Sequence, residues 1–333
     1  MKRHAIAAVT VIGVALSLSG GRPSAQVGTN TSDAHVAAAK AAAGTYHPAL
    51  FNSLCSAANI QPAAAPQRGQ RAAGPGGAPP GPPDRSTWHA EPVKVFDNLY
   101  FVGMTEYSAW AVKTSDGIIL LDTIYDYSIE DEVVGGLKKL GLDPATIKYA
   151  LVSHGHVDHF GGAKYLQEHF GTKILMSAAD WELIAASRNA NKPTRDQVVA
   201  DGQKLTLGGT TLTFTLTPGH TPGTVSTLIP VTDNGVSHLV AEWGGTGFNF
   251  TRAAETFKTY AASADRFKEI VTRAGADALI ANHTNLDSSK TKIPGLALRK
   301  PGDPHPYVIG TRAVQDYLTV AGECARAVLA AMN

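Results

Sequence analysis

From residue 93 onward the spacing of apolar positions changes period several times. Residues 93–96 and 99–102 are short apolar-rich runs separated by Asp97-Asn98, a hairpin signal, and 108–113 reads as a third strand. Asp116-Gly117 then turns the chain into Ile118-Ile119-Leu120-Leu121, a continuous apolar run of the kind that is covered on both faces. A helical period over 129–140 ends at Gly141, and 147–152 is a second buried strand that stops at Ser153-His154. Helices are expected over 161–170 and 178–187, flanking a strand at 173–176. The second half repeats the logic. Strands are expected at 204–205, 211–217, 225–230, 238–241 and 278–281, and helices over 253–262, 264–274 and 311–332. Strands enclosed by helices in two successive halves predict an α+β, four-layer arrangement with a site at the seam.

Upstream of Trp88 the pattern fades. Residues 29–59 are Ala-rich with one helix expected over 34–43, and 60–86 are dominated by Pro, Gly and Ala, a composition that closes helical options and raises the entropy cost of ordering. Residues 26–87 are therefore expected to be an arm and a linker, a tether with little packing. The first 25 residues have a basic start (Lys2, Arg3), an apolar stretch to about Leu18 and small residues ending at Ala25. This is the layout of a secretory signal peptide, and the apolar stretch is shorter than the roughly 20 residues of a membrane span. An uncleaved anchor is the competing reading. The expectation is an exported protein, periplasmic or secreted, with its compact domain over 88–333.

Composition narrows the partners. The chain has 333 residues, 44% hydrophobic and 17% charged, and a formal charge of +1. Loss of Lys2, Arg3 and Arg22 with the leader turns that charge slightly negative, so there is no basic field for nucleic acid or anionic lipid. A small-molecule substrate, no nucleic acid, no membrane contact after cleavage and a monomeric state are expected. The two cysteines, Cys55 and Cys324, are too far apart in sequence for a CxxC site. In an oxidising compartment they could pair and tie the arm to the C-terminal helix, or remain two free thiols.

The chemistry concentrates after the second buried strand. Ser153-His154-Gly155-His156-Val157-Asp158-His159-Phe160-Gly161-Gly162 packs three imidazoles and a carboxylate into a few positions. They converge only if the chain curls tightly there, which Gly155 and Gly161-Gly162 make cheap; such a run has no reason to be helical. Imidazole and carboxylate suit zinc, and also iron or manganese. Two further histidines leave apolar strands, His220 in Thr217-Pro218-Gly219-His220-Thr221-Pro222-Gly223 and His283 in Leu279-Ile280-Ala281-Asn282-His283.

Together with Leu120-Leu121-Asp122-Thr123, these motifs resemble the metallo-beta-lactamase fold superfamily, over roughly Glu91 to Leu298. In the His220 loop and the lack of a cysteine ligand, the chain is most similar to the subclass B3 zinc beta-lactamases. The resemblance implies an αββα sandwich with two zinc ions at one edge. His154, His156 and His220 would hold the first ion, and Asp158, His159 and His283 the second, with water or hydroxide between them oriented by Asp158. Asp122 would support the site from behind.

The chain departs from the pattern at Glu242-Trp243. Glu242 stands where many superfamily hydrolases place a bridging aspartate, and Trp243 where B3 enzymes show a short hydroxyl residue. Trp243, with Phe248 or Phe250, is read either as an apolar cleft wall or as core, and Tyr125 and Tyr127 as an aromatic wall opposite. The leading expectation is a zinc-dependent beta-lactamase, hence an antibiotic-resistance function. The alternative is a lactonase or another ester, thioester or phosphoester hydrolase on the same scaffold, and the third reading is a metal-holding protein without turnover.

Overall fold

Alternation along the strands decides which face each residue covers. Across Ile118–Leu121, Ile118 and Leu120 pack into one core, whereas Ile119 and Leu121 pack into another, so all four are buried. The computed structural model that shows this describes residues 30–60 and 82–332 together with Met1. Residues 2–25 of the expected leader and residues 61–81 of the expected linker lie outside the described residues.

The first sheet runs, in spatial order, through β1 (Val93–Lys94), β2 (Leu99–Phe101), β3 (Trp110–Lys113), β4 (Ile118–Leu121), β5 (Ile147–Leu151), β6 (Lys173–Ser177) and β7 (Gln197–Val199). It is antiparallel from β1 to β4 and parallel from β4 to β7. The second sheet contains β8 (Lys204–Leu207), β9 (Thr210–Leu216), β10 (Val225–Asp233), β11 (Val236–Trp243) and β12 (Ala278–Ala281), in the order β12-β11-β10-β9-β8.

Three apolar cores separate four layers, as the sequence predicts. One lies between the two sheets. A second lies between the first sheet and its outer helical elements. These are a π-helical stretch (Ile129–Val134), α4 (Gly135–Lys139), α5 (Val157–Phe160), α6 (Ala163–Phe170) and α7 (Ala178–Ala186), numbered after the three helices of the arm. The third core lies under α8 (Ala254–Ala274) and α10 (Thr311–Ala331), with α9 (Ser289–Leu298) between them in sequence.

Several expectations change. The arm is not a loose tether: α1 (Ser32–Ala43), α2 (Pro48–Leu54) and α3 (Ala57–Ile60) lie over α10, and Ala39, Ala43, Leu50 and Leu54 are buried in its core. The small side chains that look featureless in sequence let α1 lie close against α10. Cys55 and Cys324 form a disulfide that joins the arm to α10. The two helices expected over 253–274 are one, because Ser263 is not a break. Its hydroxyl donates to the carbonyl of Pro218 at 2.7 Å and so ties α8 to the His220 loop. The turn at Val157–Phe160 is helical, contrary to expectation, with His156 preceding it in extended conformation.

Candidate metal centre

Every motif singled out by the sequence follows the carboxyl end of a strand. Asp122 follows β4, His154 follows β5, His220 follows β9 and His283 follows β12. The parallel pairs β4–β5 and β11–β12 bring these ends to one edge of the sandwich, the usual place for a site in such sheets. The sheets are tied together there. Val225 N–H donates to Ser153 O at 2.8 Å, Ser108 N–H to Asn282 O at 3.0 Å and the Trp110 indole to Ala281 O at 3.1 Å.

The six expected ligands gather into two triads, His154–His156–His220 and Asp158–His159–His283, each with its ligand atoms within 4.8 Å of one another. In the first, Nε2 of His220 lies 3.0 Å from both Nε2 of His154 and Nδ1 of His156. In the second, Nε2 of His159 lies 3.3 Å from both Nε2 of His283 and Oδ2 of Asp158, and the remaining edge is 3.8 Å. A tetrahedral zinc site sets its ligand atoms about 3.3 Å apart, so both triads fit a dication of that size.

Three of the far ring nitrogens are engaged. Nδ1 of His154 donates to Gly244 O at 2.8 Å, that of His220 to Gly247 O at 2.6 Å, and that of His159 to Asp122 Oδ2 at 2.7 Å. Each bond fixes the tautomer that turns an Nε2 lone pair inward. Asn282 Nδ2 donates to Gly244 O at 2.7 Å and holds that carbonyl in place. Gly244 has no alternative, since a Cβ there would fall 1.8 Å from Val225 O. Gly161 and Gly162 adopt ordinary right-handed helical angles and are needed for space instead of turn freedom, because a Cβ on Gly162 would meet Thr123 O at 2.4 Å.

Burial lowers the pKa of His154, His156, His220 (to about 3) and His283 (to about 4), leaving neutral imidazoles at pH 7 as metal ligation requires. His159 is different. Burial pushes it down, but the carboxylates of Asp158 and Asp122 outweigh that and raise it to about 10. Burial alone would raise Asp158, but His159 and His283 hold it well below the usual carboxylate range. A dication held there would neutralise the same carboxylates.

His154, His159 and His220 are buried, while His156, Asp158 and His283 form the accessible edge. Beside that edge runs a row of aromatic rings. Trp88 meets Tyr127 at 5.6 Å, Tyr127 stacks on Tyr125 at 5.1 Å, Tyr125 meets Tyr107 at 5.1 Å, and Tyr107 meets His283 at 5.3 Å. Tyr125 and Tyr127 thus join a wall that leads to a ligand. Tyr107, which the sequence reading passes over, is its innermost member, paired to His283 through the backbone as well. A lone tyrosine before a strand carries no motif that would single it out.

Three expected pocket residues pack elsewhere. Trp243 is fully buried under α8, its indole donating to the Tyr260 hydroxyl at 3.1 Å and its ring against Phe267. Strand alternation explains this: Ala241 and Trp243 face the helices, whereas Val240 and Glu242 face the inter-sheet core. Glu242 is fully buried, and neither carboxylate oxygen has a hydrogen-bond partner among the described residues. Burial, reinforced by the charge on Asp122, pushes its pKa up to about 8. Phe248 is half-buried, its ring against Phe257 and Tyr260 of α8.

The profile of the metallo-beta-lactamase superfamily matches residues 103–233. Among curated proteins, an N-acyl homoserine lactonase of a Bacillus species is 31% identical over 150 residues, which are 43% of this chain and 58% of the relative. A hydroxyacylglutathione hydrolase of Acidiphilium cryptum is 38% identical over 82 residues, 25% of this chain and 30% of the relative. The matched stretch thus spans less than two thirds of either relative. Among solved structures, a subclass B3 metallo-beta-lactamase of Bradyrhizobium japonicum superposes with a TM-score of 0.60 at 28% identity, covering 70% of this chain and 91% of that one. The native enzyme of Legionella gormanii gives 0.60 at 25% identity, covering 69% and 91%.

Proposed function

This chain has the fold of the metallo-beta-lactamase superfamily with two metal-binding triads, and from that premise we propose that it hydrolyses carboxylic esters, a lactone ring foremost. The observation that carries the choice of substrate is the placement of Trp243. The position where the B3 resemblance expects a hydroxyl for a substrate carboxylate is turned into the helical core and offers the cleft nothing. At His156 and His283, on the open edge, burial and the neighbouring histidines lower the pKa against the pull of the Asp158 carboxylate, which is the charged group acting on both. A neutral lactone or ester fits such an edge better than an anionic substrate. The sequence relationship to an N-acyl homoserine lactonase and a hydroxyacylglutathione hydrolase supports the same reading.

Two zinc ions are the proposed cofactor. Bound dications supply a nucleophile drawn from water at neutral pH and positive charge against the carbonyl under attack. The chain's own side chains do the rest. Asp158 turns Oδ2 toward His159 and His283 and would orient the attacking water from its place in the second triad. Tyr107 and Tyr125 offer ring faces against which the substrate's apolar part packs and excludes water. Export is proposed too, supported by the Cys55–Cys324 disulfide, since such bonds persist in oxidising compartments.

The second reading, a beta-lactamase, draws on the similarity to a B3 structure, which extends over 91% of that enzyme's length. A panel of lactones, aryl esters, thioesters and beta-lactams, assayed on the zinc-loaded protein, decides between them. A kcat/KM for the best lactone or ester at least about tenfold above that for any beta-lactam is expected, about 1.4 kcal/mol of transition-state discrimination. The reverse order would overturn the proposal.

A further inference from the structure

Asp180 lies in the first turn of α7, where Ser177 Oγ accepts its backbone N–H at 3.2 Å. Its side chain is fully buried and has no Lys, Arg or His partner among the described residues. Three donors satisfy it instead. Oδ2 accepts from Gly155 N–H at 2.7 Å and from the Thr221 hydroxyl at 2.6 Å, and Oδ1 accepts from Gly223 N–H at 2.9 Å. The positions of these donors are informative. Gly155 stands between His154 and His156, Thr221 directly follows His220, and Gly223 closes the same loop. One carboxylate therefore clasps both loops that carry the first triad, whereas the second triad takes Asp158 and His159 from the run that continues past Gly155 and no ligand from the His220 loop.

We propose that Asp180 is the positioning residue of the first metal site, setting the separation of the His154–His156 loop from the His220 loop. It acts through the backbone and never meets substrate. Its counterpart at the second site is Asp122, which bonds His159 directly. Asp122 also holds Ser153, beside His154, but only Asp180 bridges to the His220 loop, so a change in the separation of the two loops falls on the first site. The inference rests on the reading that each triad holds a metal.

Asparagine is the sharpest probe. Its amide retains one oxygen and replaces the other with an N–H₂ group, so in either orientation a backbone N–H of Gly155 or Gly223 faces another donor and the clasp opens on one side. Zinc titration of the mature protein against a competing chelator reads the result. The backgrounds His220→Ala and His283→Ala isolate the second and first triads respectively. In the His283→Ala background, Asp180→Asn is expected to weaken the remaining site by about 10- to 100-fold, the usual range for groups that orient a ligand. In the His220→Ala background it is expected to change affinity less than twofold. Thr221→Val, which removes only the hydroxyl, is expected to give a smaller loss at the first site, and Thr221→Ser to restore parental affinity. This series reads the clasp even if Asp180→Asn does not fold. Equal losses at both sites, or none at either in both series, would overturn the proposal. A parental protein that binds fewer than two zinc ions would instead overturn the reading beneath it.

Discussion

Asp122 and His159 are joined by a 2.7 Å contact between Oδ2 and Nδ1 at the point where β4 ends, and Asp122 adopts a φ of 60° to make it. That left-handed conformation is costly for a residue other than glycine. It is held because the same carboxylate accepts Ser153 N–H at 2.7 Å and the Ser153 hydroxyl at 2.9 Å, linking the ends of β4 and β5. Asp122→Asn cannot accept from all these donors. Zinc affinity at the second triad should fall by about 10- to 100-fold, and by less at the first triad, whose His154 Asp122 reaches only through Ser153. Chelator competition on the variant checks this, and parental affinity at the second site would refute the assignment.

Trp243 is expected to matter for stability and not for selectivity. Trp243→Ser empties a fully buried site beneath α8 and removes the indole donor from the Tyr260 hydroxyl, which keeps its bond to Thr246 O, at a cost of about 3–5 kcal/mol. Ratios of kcat/KM across the substrate panel should stay within about twofold. A shift in those ratios with an unchanged denaturation midpoint would return Trp243 to the cleft.

Glu242 makes stability depend on pH in the metal-free protein. Its folded pKa of about 8 lies above the ordinary 4.5. Between those values the unfolded chain has released its proton while the folded chain still holds one, so this group's contribution to stability declines as pH rises through that window and levels off above it. Glu242→Gln removes the decline. Urea denaturation of both proteins at about pH 5 and about pH 8 measures it; parallel slopes for the two would exclude the effect.

The disulfide anchors a packed arm. Cys55→Ser with Cys324→Ser should lower stability by about 2–5 kcal/mol, while α1 and α2 remain seated through Ala39, Leu50 and Leu54. Zinc content and kcat/KM should be preserved, because the bond lies in the outer helical layer. Loss of both metals on removing the disulfide would show that the arm supports the site itself.

The chain order alone determined the candidate ligand set and the layer architecture, since clustered imidazoles after apolar strands and doubly buried runs such as Ile118–Leu121 are local signals. Strand parity was also present at Glu242-Trp243, though reading it required knowing that the helical core, and not the cleft, lies on the Trp243 side. Tertiary structure alone decided the rest. Asp180 reaches Gly155 and Thr221 across separations of 25 and 41 residues, and Tyr107 meets His283 only through a bridge between the two sheets. The arm looks like a tether until α10 supplies the surface that its small side chains fit. Ligand residues announce themselves because metal chemistry restricts their types. A carboxylate that accepts backbone N–H groups, or an alanine face that fits a helix, uses groups found everywhere in a chain, so only the fold reveals which of them meet.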